Sequence, residues 1–156
     1  MILYHGTYTR FDSIELEKCS PFKDFGKGFY LTDLESQAMK MAVKKSRIFN
    51  GSPVVLKFEF DESLLTGGEL KVRQFGRPDR AWAEFIYNNR SRKSSFSHDY
   101  DIVTGPIAND GVAYLLDRYE EGTMSLDQLA EELEFKELNN QFFFGTERAL
   151  KYLIRL

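Results

Sequence analysis

Cysteine, histidine and net charge are all scarce in this chain, and each scarcity removes a class of function. The single cysteine, Cys19, leaves no partner for an intramolecular disulfide and no basis for a multi-cysteine metal site. As a nucleophile it would have only two histidines to activate it, so a buried or incidental thiol is the simpler reading. Lys and Arg total 21 against 24 Asp and Glu, a net charge of −3, which gives no overall electrostatic case for a polyanion partner. No apolar run approaches the ~20 residues of a membrane span. The opening MILYHGTYTR is too short and too polar for a signal peptide. A cytoplasmic protein without a membrane partner is expected. Repeats, low-complexity tracts and an interdomain linker are also missing, so residues 1–156 are expected to form one domain. There is no G-x-G-x-x-G turn, and Gly26-Lys27-Gly28 lacks the spacing and the Lys-Ser/Thr ending of a phosphate loop.

What the chain does have is apolar and aromatic surface. It is 42% hydrophobic and 15% aromatic, with 14 Phe and 8 Tyr. That surplus favours a β-rich core and supplies flat rings for stacking on a ligand. Residues 1–5 read as a buried strand and 28–32 as a second. Thr32 precedes Glu35 by three in the manner of a capping box, with Leu34, Ala38, Met41 and Ala42 at helical spacing behind it, predicting a helix over 33–47. In VVLKFEFD, Leu56, Phe58 and Phe60 alternate with Lys57 and Glu59, the pattern of a half-buried strand. Asp79 can cap a helix carrying Trp82, Phe85 and Ile86 and ending near Asn89. Tyr100–Thr104 reads as a strand closed by Gly105-Pro106. Asp110 starts a helix through Leu115, Leu116 and Tyr119. Ser125 and Gln128 form a second capping box, Gln141–Phe144 is a short aromatic strand, and Thr146 caps a last helix through Ala149, Leu150 and Leu153. The fold class is α+β.

Two segments are too specific for ordinary strand and turn chemistry: Leu3-Tyr4-His5-Gly6-Thr7, and Asp24-Phe25-Gly26-Lys27-Gly28-Phe29-Tyr30-Leu31-Thr32. Together they resemble the opening of the diphtheria-toxin and poly(ADP-ribose) polymerase branch of ADP-ribosyltransferases. There, a His-Gly-Ser/Thr strand is followed by a helix and a Phe-Gly-Lys-Gly-hydrophobic-Tyr strand. More closely, residues 1–42 and NQFFFGTERAL near the C-terminus resemble a bacterial family of unknown function, number 3990, that is grouped with those transferases. The resemblance implies a single-domain ADP-ribosyltransferase-like fold with a split β-sheet core and flanking helices.

It also implies an activity, mono-ADP-ribosyl transfer from NAD as co-substrate to a protein or nucleic acid acceptor. Cleavage of the nicotinamide–ribose bond passes through a transition state with oxocarbenium character, so the enzyme must orient the ring and stabilise positive charge on the sugar. The resemblance assigns His5 a hydrogen bond to the adenosine ribose. Gly6 takes the nicotinamide carboxamide on its backbone, and Tyr30 stacks on the nicotinamide face. Thr7 adds a hydroxyl near the ribose, while Gly26 and Gly28 allow the tight path into the second strand. The third triad position, glutamate in the polymerases, falls on Gln141. Glutamine hydrogen-bonds a ribose but supplies neither negative charge nor a general base. That departure argues for transfer of one unit rather than a polymer. It equally admits a weak or inactive NAD- or nucleotide-binding module, and an NAD glycohydrolase shares the same pocket. Exchange of Gln141 for Glu is the substitution that separates enzyme from binder.

Taken singly, His5 reads as a core histidine, Tyr30 as a core aromatic and Gln141 as a strand-end surface residue; only their joint pattern points to a site. Among the basic residues Arg73, Arg77, Arg80, Arg90, Arg92 and Lys93, Arg90 at a helix end is the best candidate for the NAD pyrophosphate. Asp101 and Asp110 read as loop-orienting groups rather than metal ligands, and His98 as a loop residue. By extension, a small stand-alone transferase of this kind suits a toxin neutralised by a small antitoxin.

Overall fold

The computed structural model describes residues 1–108, 110–134 and 139–156. Seven strands form one sheet in the order β4-β5-β6-β2-β1-β3-β7: β1 Ile2–Thr7, β2 Phe29–Thr32, β3 Val54–Glu59, β4 Val72–Gln74, β5 Ile102–Pro106, β6 Asn140–Phe144 and β7 Ile154–Arg155. Every pairing is antiparallel except β4 with β5. Five helices accompany them among the described residues: α1 Glu35–Phe49, α2 Arg80–Arg90, α3 Asp110–Glu120, α4 Leu126–Glu134 and the single turn α5 Glu147–Leu150. The α+β class is as expected. Among the described residues no helix is long and apolar enough to cross a membrane.

Strand alternation sorts the core into two clusters, because successive side chains on a strand leave by opposite faces. On β6, Phe143 joins Phe25, Trp82, Ile86, Val103, Leu129 and Leu133 beneath α2 to α4. Its neighbours Phe142 and Phe144 join Leu3, Phe29, Leu31, Leu56, Phe58 and Ile102 on the other side. Leu56, Phe58 and Phe60 are buried while Lys57 and Glu59 are exposed, as the alternation requires.

The split expected of the sheet is a local one. All seven strands are joined by hydrogen bonds, but β1 meets β2 in register only at Tyr4 and Thr32. Beyond that pair, side chains replace the ladder. His5 Nδ1 lies 2.7 Å from the Tyr30 carbonyl, and Lys45 Nζ donates to the Gly6 carbonyl at 2.9 Å. Backbone acceptors freed where strands diverge need such partners. The divergence opens the cavity described below.

Several expected boundaries move, the strand read over 1–5 running 2–7 among them. The helix predicted over 33–47 is α1, 35–49, and its N-cap is Leu34, without a side-chain cap bond. Thr32 Oγ1 accepts from the Leu34 N–H but donates to the Asn140 carbonyl, tying β2 to β6 instead of closing a box. The strand expected over 100–104 runs 102–106, taking in Gly105 and Pro106, which pair with Gln141 and Asn140. The last helix stops at Leu150, so Leu153 lies outside it and the chain turns into β7 beside β3. The other caps form as read. Asp79 accepts from Trp82 N–H, Thr146 from Ala149 N–H, and Ser125 and Gln128 bond reciprocally. Helix α3 begins at Asp110, but the loop-orienting role expected of that side chain falls outside the described residues. Strand β4 was not expected at all.

Candidate functional site

A cavity of about 440 Å³ sits where β1 and β2 part, walled by β1, β2, β6, α1, the end of α2 and the loop before β2. Its size is that of an ordinary small-molecule site. His5 and Gly6 from β1, Tyr30 from β2, Gln141 from β6 and Arg90 from the end of α2 all line it. Residues far apart in sequence are thus brought together as the motif pattern implied. Thr7 and Gly28, expected on the same wall, are not part of the lining. Thr7 is buried. Gly28 packs under β6, where an added Cβ would lie 2.3 Å from the Phe143 ring and 2.7 Å from the Phe144 carbonyl. Its lack of a side chain serves strand packing. Gly6 has a similar constraint on its Cα side. A Cβ there would fall 2.0 Å from the Ala38 carbonyl of α1, so glycine is what lets that helix seat against β1.

The His5 imidazole is stacked on Phe29 with ring centroids 4.3 Å apart. Burial, and to a lesser degree the Lys45 charge, pull its pKa from 6.5 to about 4, against the opposing bond to Tyr30. It is therefore neutral near pH 7. Since a carbonyl only accepts, Nδ1 carries the proton and donates to Tyr30, leaving Nε2 an acceptor suited to a hydroxyl. The Tyr30 hydroxyl is already committed: it donates to the Gly26 carbonyl at 2.7 Å and accepts from the Phe25 N–H at 2.9 Å. Burial above all drives its pKa well above 10. Gly26 sits at φ 99° in that turn, a conformation favouring glycine. What Tyr30 offers the cavity is thus its ring, not its hydroxyl.

Lys45 on α1 has its pKa lowered from 10.5 to about 8, chiefly by burial and then by Lys23. With Lys23, Lys44 and Arg90 it makes four cationic groups on the cavity wall, against the one carboxylate of Asp24. A chain of net charge −3 therefore concentrates positive charge here, the arrangement an anionic ligand requires.

Asp24 is a cavity-lining group that sequence reasoning passed over, as it did Lys23, Lys44 and Lys45. It was visible only as the first residue of the second motif. Its side chain is 14% exposed. Oδ2 accepts from Gln141 Nε2 at 2.8 Å and from the Ala108 N–H at 3.2 Å, while Oδ1 accepts from Arg90 at 3.3 Å. Gln141 Nε2 also reaches the Pro106 carbonyl at 3.3 Å.

Other candidates lie off the cavity. His98 Nε2 donates to the Phe25 carbonyl, 2.6 Å away, while its Nδ1 accepts from the Tyr100 N–H, and burial lowers its pKa; it braces a loop, as expected. Asp101 accepts from the Lys71 N–H and the Thr146 hydroxyl, orienting two loops. Arg73 lies over the Phe75 ring and Arg80 pairs with Asp127. Cys19 is partly exposed, with its pKa raised chiefly by burial, the reverse of an activated thiol. Among the described residues no three His, Cys, Asp or Glu side chains cluster as metal ligands.

The family described as "Protein of unknown function (DUF3990)" matches residues 1–154. The chain belongs to this family. The match runs from β1 to the first residue of β7, so the DUF3990 region contains every residue lining the cavity. No curated protein and no solved structure matches significantly.

Proposed function

We propose that this DUF3990 protein is a mono-ADP-ribosyltransferase that takes ADP-ribose from NAD and passes it to a macromolecule. The observation that carries this reading is the convergence of His5, Gly6, Tyr30 and Gln141 on one basic cavity at the β1–β2 divergence. The neutral His5 offers an acceptor for a ribose hydroxyl, and the Tyr30 ring offers an apolar face to nicotinamide. The Gly6 carbonyl retains a second lone pair for the carboxamide beside its bond to Lys45. Lys23, Lys44 and Arg90, which line the cavity, would supply the positive charge to meet a pyrophosphate. A toxin paired with a small antitoxin is the setting we propose for such an activity.

The test is incubation of the purified protein with adenine-labelled NAD and a cell lysate, with products digested separately by protease and nuclease. A His5→Gln variant of matched melting temperature runs alongside. The expected result is label in a macromolecule that is lost in the variant, with the digestion naming protein or nucleic acid as acceptor. Released nicotinamide without label would instead assign a glycohydrolase. Tight NAD binding without either product would assign a binding module. Absence of NAD binding would end the proposal.

A further inference from the structure

We propose that Asp24 is the catalytic carboxylate of this site, so that the negative charge for bond cleavage comes from the loop before β2 and not from β6. The inference rests on the transferase reading above and answers the difficulty Gln141 raises for it. A neutral amide at position 141 cannot oppose a developing cation. Yet the Gln141 amide nitrogen is 2.8 Å from Asp24 Oδ2, and Asp24 itself lines the cavity, its one carboxylate among the described lining residues.

The surroundings of Asp24 are those of a positioned anion. Two donors, Gln141 Nε2 and the Ala108 N–H, hold Oδ2, and Arg90 approaches Oδ1 at 3.3 Å. Three donors, from β6, from α2 and from the segment after β5, fix the group and offset its desolvation. A carboxylate accepts at about four lone-pair sites, which leaves capacity for a ligand on the cavity side. Gln141 then becomes a positioning residue. With Nε2 spent on Asp24 and the Pro106 carbonyl, it acts through the carboxylate it holds.

The step balances without another reagent. The bond between ribose C1′ and the pyridinium nitrogen breaks, and its electron pair leaves with nicotinamide, which departs neutral. Positive charge passes to the ribose as an oxocarbenium, opposed by Asp24. The acceptor's nucleophilic oxygen or nitrogen attacks C1′, and its proton passes to Asp24 and on to solvent. The products are ADP-ribosylated acceptor, nicotinamide and one proton.

The experiment compares wild type, Asp24→Asn, Asp24→Ala and Gln141→Ala by two readouts, NAD affinity by calorimetry and the rate of nicotinamide release. Asp24→Asn should keep the NAD Kd within about threefold while slowing release by about 10²- to 10³-fold, the usual cost of losing one electrostatic stabiliser. Added formate should restore part of the release lost in Asp24→Ala, a signature that a merely structural aspartate would not give. Gln141→Ala should lower kcat by a smaller factor at unchanged KM, because Ala108 and Arg90 still hold Asp24. Release by Asp24→Asn within threefold of wild type would overturn the assignment. So would an inactive Asp24→Ala that binds NAD but ignores formate. If wild type neither binds nor cleaves NAD, the transferase reading itself has failed and this inference goes with it.

Discussion

His5 carries the clearest pH signature in the molecule. Its folded pKa of about 4 lies below the ordinary value of 6.5. Between those values the unfolded chain binds the proton and the folded one does not. Its contribution to stability is therefore fully present above pH 6.5 and is lost as pH falls through 4. Denaturant titrations of wild type and His5→Gln should diverge at neutral pH and draw together toward pH 4; parallel curves over that window would contradict the buried neutral imidazole. Tyr30 separates into two functions that one exchange can part. Tyr30→Phe removes the hydroxyl from between the Phe25 N–H and the Gly26 carbonyl. It should cost about 1–3 kcal/mol of stability, while the retained ring keeps NAD turnover near wild type. Equal loss of activity in Tyr30→Phe and Tyr30→Ala would show that the hydroxyl itself takes part. Both residues were legible in sequence because the motif names them. Asp24 was not, because its partners Arg90, Ala108 and Gln141 stand 66, 84 and 117 positions away, and nothing local marks a residue whose bonds are all remote.

Strand β6 gives a test at the level of elements. Exchanging Gln141 for Glu places a second carboxylate where an amide now donates to Asp24. Like charges at that distance cannot both stay ionised without cost, so the pair should share a proton. The variant is expected to be less stable than wild type by about 1–3 kcal/mol at pH 8, with the deficit shrinking toward pH 5. A thermal-melt series over pH settles it, and a variant as stable as wild type at pH 8 would mean that the Asp24 contact is unimportant. Element type was legible wherever local chemistry decides it: alternation in β3, reciprocal capping at Ser125 and Gln128, the Asp79 cap of α2. It failed where distant strands decide. Val72-Arg73-Gln74 shows no apolar alternation and becomes β4 only by parallel pairing with β5. Thr32 has the right spacing for a box, but β6 takes its hydroxyl. Leu153 keeps helical spacing, yet β3 offers its edge to β7 and ends the helix early.

At the scale of the whole molecule, charge is segregated rather than abundant. Four cations face the cavity in a chain that is acidic overall, so ligand affinity should depend on salt more than the net charge suggests. The NAD Kd is expected to rise several-fold between about 50 and 300 mM NaCl as the Debye length shortens, with Lys44→Met flattening the slope. An affinity indifferent to salt would place the pyrophosphate elsewhere.

The two margins of the sheet are unlike its centre. It closes on β4 at one side and β7 at the other, strands of three and two residues. A long bare strand offers unpaired N–H and C=O groups to any neighbouring chain, whereas so short a one offers too few to hold a visitor. A core this rich in phenylalanine is thus bounded by terminal strands that leave few backbone groups of their own for a second molecule to pair with.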